Sequence, residues 1–293
     1  MLRPDVIELR SFYRTALGQT VRRVLRGRIR EFWPDLRRMH VLGLGHATPF
    51  LRPFIDESAR AVALMPAQQG VARWPEGSPG LVTLGEETCL PFPDACFDRV
   101  LLVHGMEAWE STAESLAEVW RVLSSHGRLL VIVPNRSGLW SRLERTPFGY
   151  GHPYSQGQLT RQLRAAMFSP LHHSGALHFP PSEKRWLLRT AGAWERTGRR
   201  LSSQFCGVWL MEAEKQIYMA RAQRVRRRVA GRATVPVLVP APAAGSVAGS
   251  VAGSVSGGAL SPRRGGAADR SPGGPAGSAA SAPGAGGRRD PGR

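Results

Sequence analysis

Residues 41–50 read Val-Leu-Gly-Leu-Gly-His-Ala-Thr-Pro-Phe (VLGLGHATPF), an apolar run that breaks into a glycine turn. A strand, a glycine turn and a helix in that order open nucleotide-binding α/β domains. The glycines let the backbone approach a ligand, and the helix N-terminus favours anionic groups. The dinucleotide fingerprint G-x-G-x-x-G is only partly met, because Gly43 and Gly45 fit but Thr48 stands where the third glycine belongs. The next apolar run, Ala61–Met65, ends without the Asp or Glu that would take ribose hydroxyls. Both departures disfavour NAD.

Outward from this turn the chain alternates. Met39–Leu44, Ala61–Met65, Leu81–Leu84, Phe97–Val103 and Arg128–Val133 are short apolar runs that predict strands. A helix is expected over about 49–60. Another is expected over Ser111–Leu123, where Ser111 and Glu114 have capping-box spacing and Leu116, Val119, Trp120 and Leu123 form a helical stripe. Strands alternating with helices imply a parallel sheet covered on both faces. The period changes after Pro134. Residues 135–155 form a long loop rich in Gly, Pro and aromatics, of the kind that usually serves function. A helix then opens at Ser155-Gln156-Gly157-Gln158 with Leu159, Leu163 and Met167 inward. A strand over 171–178, a helix over 183–198 and a last strand over 205–214 follow. They predict an antiparallel hairpin added to the sheet. Ahead of the sheet, residues 5–33 carry two apolar faces separated near Gly18, with Arg22, Arg23, Arg26 and Arg30 mostly opposite the second. That pattern predicts amphipathic helices with a solvated basic side.

Two compound patterns narrow the family. Leu90-Pro91-Phe92-Pro93-Asp94 precedes Phe97-Asp98-Arg99-Val100, and Glu118-x-x-Arg121-Val122-Leu123 precedes Gly127-Arg128-Leu129-Leu130-Val131. With the glycine turn about fifty residues upstream, they resemble the class I S-adenosylmethionine (SAM) dependent methyltransferases of the type-11 group. The resemblance spans roughly 38–135 by motif. It implies a Rossmann-like, doubly wound, mostly parallel sheet with an antiparallel last hairpin, SAM as cofactor, and Gly43, Leu44, Gly45, Met65, Glu86, Glu87 and His104 at the cofactor. The family's first motif reads V-L-D-L-G-C-G-T-G. Here Gly43 replaces its acid, Ala47 and Pro49 replace two glycines, and Gly45 is kept. Met65 stands where the ribose-binding acid would be. Glu86 matches the acid that meets the adenine amino group, and Glu87 lies beside it. His104-Gly105-Met106-Glu107 falls where the family faces the methionine part and the methyl group.

Composition bounds the rest. The net charge is +18 over 293 residues, yet only Lys184 and Lys215 are lysines and the other 38 basic residues are Arg. Such a ratio follows from GC-rich coding as readily as from a polyanion partner, so the charge gives nucleic acid only weak support. The three cysteines, Cys89, Cys96 and Cys206, form no C-x-x-C pair and fit a reducing compartment. The start lacks a signal-type apolar run, and no stretch of about 18 apolar residues exists. A cytoplasmic location is therefore expected. His172, His173 and His178 have no acid or cysteine at ligand spacing, so no metal is expected. From about Gly231 the chain turns to Pro, Ala, Gly and Ser, a composition that cannot offset ordering entropy.

The expected organisation is an N-terminal helical extension over 1–36, a methyltransferase-like domain over 37–220, and a basic segment with a disordered tail over 221–293. Methyl transfer is an in-line displacement at an activated sulfonium, so the protein mainly aligns the nucleophile and excludes water. Candidate bases are His104 and His152, with Glu107, Tyr150 and Tyr154 as polar neighbours. Two functional readings stay open: a methyltransferase acting on a small molecule, or a non-catalytic relative that uses the same fold to bind or regulate. Methylation of RNA or protein is a third, motivated by charge alone.

Overall fold

The computed structural model describes residues 4–75, 77, 79–201 and 205–217. The basic segment and the tail expected beyond 217 lie outside the described residues. The core element is a seven-stranded sheet of order β3-β2-β1-β4-β5-β7-β6. Its strands are β1 (His40–Gly45), β2 (Arg60–Pro66), β3 (Val82–Gly85), β4 (Phe97–Val103), β5 (Leu123–Pro134), β6 (Phe168–Ala176) and β7 (Val208–Lys215). β1 to β5 run parallel, and β7 inserts antiparallel between β5 and β6. The expected doubly wound sheet with two antiparallel late strands is what forms. Those two strands are joined through a helix, α6 (Arg185–Leu201), rather than by a tight turn.

The central strands are apolar throughout because both faces are covered, as parallel sheets require. Their side chains divide by strict alternation. Val41, Leu101, Val103, Leu130 and Ile132 join one core with Leu17, Val21, Leu25, Ile29 and Trp33 of the N-terminal helices. Leu42, Leu44, Val100, Leu102, Leu129 and Val131 join the other with Leu116 and Val119 of α4 (Thr112–Val122) and Leu159 and Leu163 of α5 (Gln156–Ala165). Each fully buried aliphatic side chain contributes about 1.5–3 kcal/mol.

The N-terminal helices are α1 (Val6–Arg14) and α2 (Ala16–Phe32). The break between them falls at Thr15 and not at Gly18. Thr15 is extended, and its hydroxyl accepts from the Gly18 N–H at 3.0 Å, capping α2. Gly18 matters through its missing side chain, since a Cβ there would collide with the Phe12 carbonyl. It permits the sharp turn that folds α1 back over the sheet. Buried Arg28 pairs with Glu31 of the same helix at 2.9 Å and, at 3.9 Å, ties α2 to Glu195 of α6. The Trp33 indole donates to buried Glu212 of β7 at 3.0 Å.

Three local expectations are corrected. The helix after the glycine turn is only α3 (Thr48–Leu51) plus one 3-10 turn over Arg52–Phe54, because Pro53 has no N–H with which to continue the backbone ladder. Ser111 begins α4, but its side chain caps nothing; its carbonyl takes Ser115 Oγ at 2.9 Å instead. The helix also ends at Val122, and residues 123–134 are all strand, so Gly127 lies inside β5. At α5 the capping box of Ser155 and Gln158 is complete, as its spacing suggests.

The two compound sequence patterns meet in one clamp. Arg121 of α4 donates to the Leu90 carbonyl at 2.9 Å, the Phe92 carbonyl at 2.8 Å and Asp94 at 2.7 Å. Glu118 holds the same guanidinium and accepts from the Leu90 N–H at 2.8 Å. These bonds raise the Arg121 pKa, the one to Glu118 most. The clamp fixes the loop that leads into β4, and so the height at which β4 ends.

Candidate functional site

The strand order reverses between β1 and β4, and α/β sheets bind ligands in the crevice beyond the strand ends at that point. β1 ends at Gly45 with φ +72. A side chain there would run into the Val103 carbonyl and lie 3.0 Å from that of His104. The next residue, His46, donates its N–H to Val103 O at 2.8 Å. Glycine is therefore required by both conformation and space. The residue after β4 is also constrained, since His104 has φ +51 and carries a side chain. Such strained positions collect at ligand sites.

Tyr13 reaches into this crevice from α1. Its ring stacks on His46 at 5.6 Å between centroids, with 16° between planes. Its hydroxyl lies 2.7 Å from His104 Nε2. His104 Nδ1 is 3.4 Å from Glu107 Oε1. The carboxylate beside Nδ1 favours a proton there, which leaves Nε2 to accept from the tyrosine. Burial, and secondarily the charge of Glu107, raise the Tyr13 pKa well above its usual value, so the phenol stays a donor. Phe50 and Phe148 close the sides of the cluster.

Several buried polar atoms here are unsatisfied. Both ring nitrogens of His46, Glu107 Oε2 and Trp109 Nε1 have no hydrogen-bond partner among the described residues. His46 is 1% exposed. Burial first, then the charges of His104 and Arg10, push its pKa down to about 3. It is thus a neutral imidazole with one donor and one acceptor to offer. Trp109 Nε1 lies close to the turn, since a Cβ on Gly105 would be 3.6 Å from it and 3.9 Å from Gly45 Cα. Native interiors satisfy nearly all such groups, so unsatisfied atoms on residues that follow β1 and β4 make this end of the sheet the candidate seat of a polar ligand.

The sequence-derived positions distribute around it. Gly43 and Leu44 lie in β1 under the turn. Met65 is buried at the end of β2. Glu86 is exposed and Glu87 buried just beyond β3, where they line a cavity of about 260 Å³ with Gln68 and Trp109. His104 is in the crevice. His152 sits at its side: its backbone N–H donates to Glu107 O at 2.7 Å, and its exposed ring lines a cavity of about 530 Å³ together with Trp109, Arg136 and Arg161. His178, placed by its spacing near a strand with His172 and His173, instead faces Glu195 at 3.3 Å. No group of three or more ligand-type side chains among the described residues could hold a metal ion. Sequence reasoning passed over Tyr13, His46 and Trp109. His46 stood inside the decisive turn, where a histidine in place of a small residue was the available signal. Tyr13 had none, because it reads as one more residue of an apolar helix face.

Known proteins match this architecture. The methyltransferase-domain family model of type 11 matches residues 42–131. Over those residues the chain resembles a methyltransferase domain. A demethylmenaquinone methyltransferase of Deinococcus radiodurans is 30% identical over 128 residues, which are 43% of this chain and 52% of that protein. One from Thermus thermophilus is 31% identical over 83 residues, 28% of this chain and 38% of that protein. The chain thus spans about half the length, or less, of these curated relatives. Among solved structures, a Thermotoga maritima SAM-dependent methyltransferase, described as a possible histamine N-methyltransferase, aligns with a TM-score of 0.50 at 17% identity, covering 72% of this chain and 96% of that one. One from Archaeoglobus fulgidus aligns equally well at 16% identity, covering 66% and 94%. At such identity the structures establish the fold.

The class I methyltransferase family implies SAM, and the crevice can be tested for it. At the amino-acid end the residues fit: Glu107 Oε2 is an acceptor suited to an ammonium, and Trp109 Nε1 a donor suited to a carboxylate. At the adenine end, Glu86 and Glu87 supply acceptors for an amino group. At the ribose end no carboxylate is present, since Met65 fills that position. The residues present would thus fit the two ends of SAM and offer no carboxylate at position 65 for its ribose.

Proposed function

We propose that this chain transfers a methyl group from SAM to a small-molecule acceptor. The observation that carries the reading is the set of unsatisfied buried polar atoms on His46, Glu107 and Trp109, residues that follow β1 and β4 at the switch point. In this reading Gly43, Leu44 and Gly45 form the floor, and the turn at Gly45 lets the backbone come close. Glu107 and Trp109 hold the amino-acid end, while Glu86 and Glu87 receive the adenine. Bound SAM supplies an electrophilic methyl on a sulfonium. The chain's own chemical contribution is at His104. Glu107 fixes its Nδ1 proton, and Nε2 stands ready to take a proton from an acceptor hydroxyl or amine, directly or through the Tyr13 phenol. Phe50, Phe148 and Tyr13 exclude water from that nitrogen.

The test is calorimetric titration of SAM and S-adenosylhomocysteine into the full chain. Binding in the micromolar range that weakens about tenfold or more in Glu107→Gln supports the reading, since each bond to a charged group contributes on the order of 1.5–3 kcal/mol. A second reading, a non-catalytic binding module, is favoured by one observation. A side chain at Gly43 would strike Leu51 and lie 2.7 Å from Ala47 Cβ, so the family's acid is excluded there as well as at Met65. A folded chain that takes up neither compound at millimolar concentration would establish that second reading in place of the first.

A further inference from the structure

A cavity of about 430 Å³ that shares Tyr13, His46 and Met65 with the crevice is lined by Arg10, Arg14, Arg22, Arg26, Arg52 and Arg73. No carboxylate lines it among the described residues. The arginines come from four separate segments, namely α1, α2, the 3-10 turn after α3 and the loop after β2. Arg10, Arg22 and Arg26 are half-buried in its wall, and Arg14, Arg52 and Arg73 are exposed at its mouth. Elsewhere on α2 arginines meet acids: Arg28 pairs with Glu31 and Arg30 with Glu57 at 2.7 Å. Here Arg22, Arg26 and Arg52 lie close enough to repel one another. Arg26 shows the result, its pKa lowered by burial first and by Arg22 and Arg52 next.

Two features make this a built site and not a basic surface. Arg26 is fixed, because its Nε and Nη2 both donate to the Pro49 carbonyl of α3, Nε at 2.7 Å. His46, fully buried with both ring nitrogens unsatisfied, lines the same cavity. Its neutral ring can donate one hydrogen bond to an anion without adding charge. Trp74 gives an apolar wall. Met65, which replaces the ribose-binding acid, also lines it, so no negative group opposes an anion there. The volume suits a small ligand, and the concave shape does not suit a duplex or a long strand.

We propose that this cavity binds a phosphate or diphosphate ester of a small molecule, the guanidinium groups and His46 holding its phosphoryl oxygens. Arginine is the side chain best matched to such oxygens, through paired N–H donors. Tyr13 and His46 belong to both cavity and crevice, so the rest of the ligand is led toward His104. Assigning this ligand as the methyl acceptor rests on the function proposed above. The binding itself does not.

The experiment titrates inorganic pyrophosphate, and separately SAM, into the full chain and three variants. Arg22→Gln and Arg52→Gln alter lining groups for which no structural bond is seen; Arg23→Gln removes an exposed charge on α2 that does not line the cavity. Saturable pyrophosphate binding that weakens about tenfold in each lining variant, and less than twofold in Arg23→Gln, supports the site. Equal weakening in all three variants would mean only surface charge, and absence of binding at millimolar pyrophosphate would also overturn the proposal. A single-stranded oligonucleotide that binds where pyrophosphate does not would overturn it in favour of a polynucleotide. Pyrophosphate binding without SAM binding would leave the anion site standing while the methyltransferase reading fails, so the two failures are distinguishable.

Discussion

Replacing Gly45 by alanine tests whether the glycine turn at the switch point is closed by backbone against backbone. Two costs add. The residue sits at φ +72, where a Cβ is strained by about 1 kcal/mol. The new methyl would also press on the Val103 carbonyl and lie 3.0 Å from the His104 carbonyl. Neither is the movable end of a side chain. Val103 O already accepts the His46 N–H at 2.8 Å, so relief by backbone shift loosens the junction of β1 and β4. Overpacking of this kind costs about 1–3 kcal/mol, giving a total of about 2–4 kcal/mol. In a domain of this size that corresponds to a melting temperature roughly 5–15 °C lower. The control is Gly27→Ala. Gly27 is exposed in α2, and a Cβ there would meet nothing within 4 Å. That change should stabilise by about 0.5–1 kcal/mol through helix propensity alone. Both variants are read by circular dichroism against temperature under identical conditions. A Gly45→Ala protein that melts within about 1 °C of the parent would falsify the close-packed turn.

Three more outcomes follow from the geometry. The His46 pKa is pushed down to about 3, so between pH 6.5 and 3 the unfolded chain binds a proton that the folded chain refuses. Stability should fall as pH drops through that window, by up to about 1.4 kcal/mol per unit from this group, and His46→Leu should flatten the slope in urea titrations at pH 7, 6 and 5; an unchanged slope refutes the assignment. Arg121→Ala frees the Leu90 and Phe92 carbonyls and the Glu118 carboxylate, and should cost about 2–4 kcal/mol in chemical denaturation, against under about 1 kcal/mol if the clamp is an ordinary surface ion pair. Tyr13→Phe leaves His104 Nε2 without its donor in a buried site, and should lower stability by about 1–3 kcal/mol; a loss below about 0.3 kcal/mol would show that the 2.7 Å contact carries no bond.

The sheet was legible because its signals are local and redundant. Strands buried on both faces must be apolar along their length, and the runs at 41–44, 61–65, 97–103 and 128–133 could hardly be anything else. The site was legible only where it is backbone. Gly45 announced a turn because few residues but glycine fit there. Tyr13 did not announce a ligand-facing role, since its hydroxyl acquires a partner only when α1 folds over the sheet to a histidine 91 positions away. The arginine cavity was unreadable for a related reason. Arg10, Arg22, Arg52 and Arg73 are dispersed in sequence, and in a chain so rich in arginine each reads as solvated surface. Convergence from four segments is a property of tertiary structure.

The departures from the family's first motif form one substitution set. In the family's pattern an acid stands at position 43 and glycines at 47 and 49. Here Ala47 contributes a methyl that would lie 2.7 Å from a Cβ on Gly43, and Leu51 covers the remaining space. With Ala47 in place, position 43 must be glycine, and restoring the acid alone would bury a charge against two apolar side chains. Pro49 extends the change outward, because its carbonyl is the anchor that fixes Arg26. The apolar filling under the turn and the cationic wall above it thus depend on the same short segment, 47–51. A turn that had merely lost its acid would leave an empty polar recess. This one is filled with apolar groups below and bordered by arginines above, the arrangement that the proposed anion site requires.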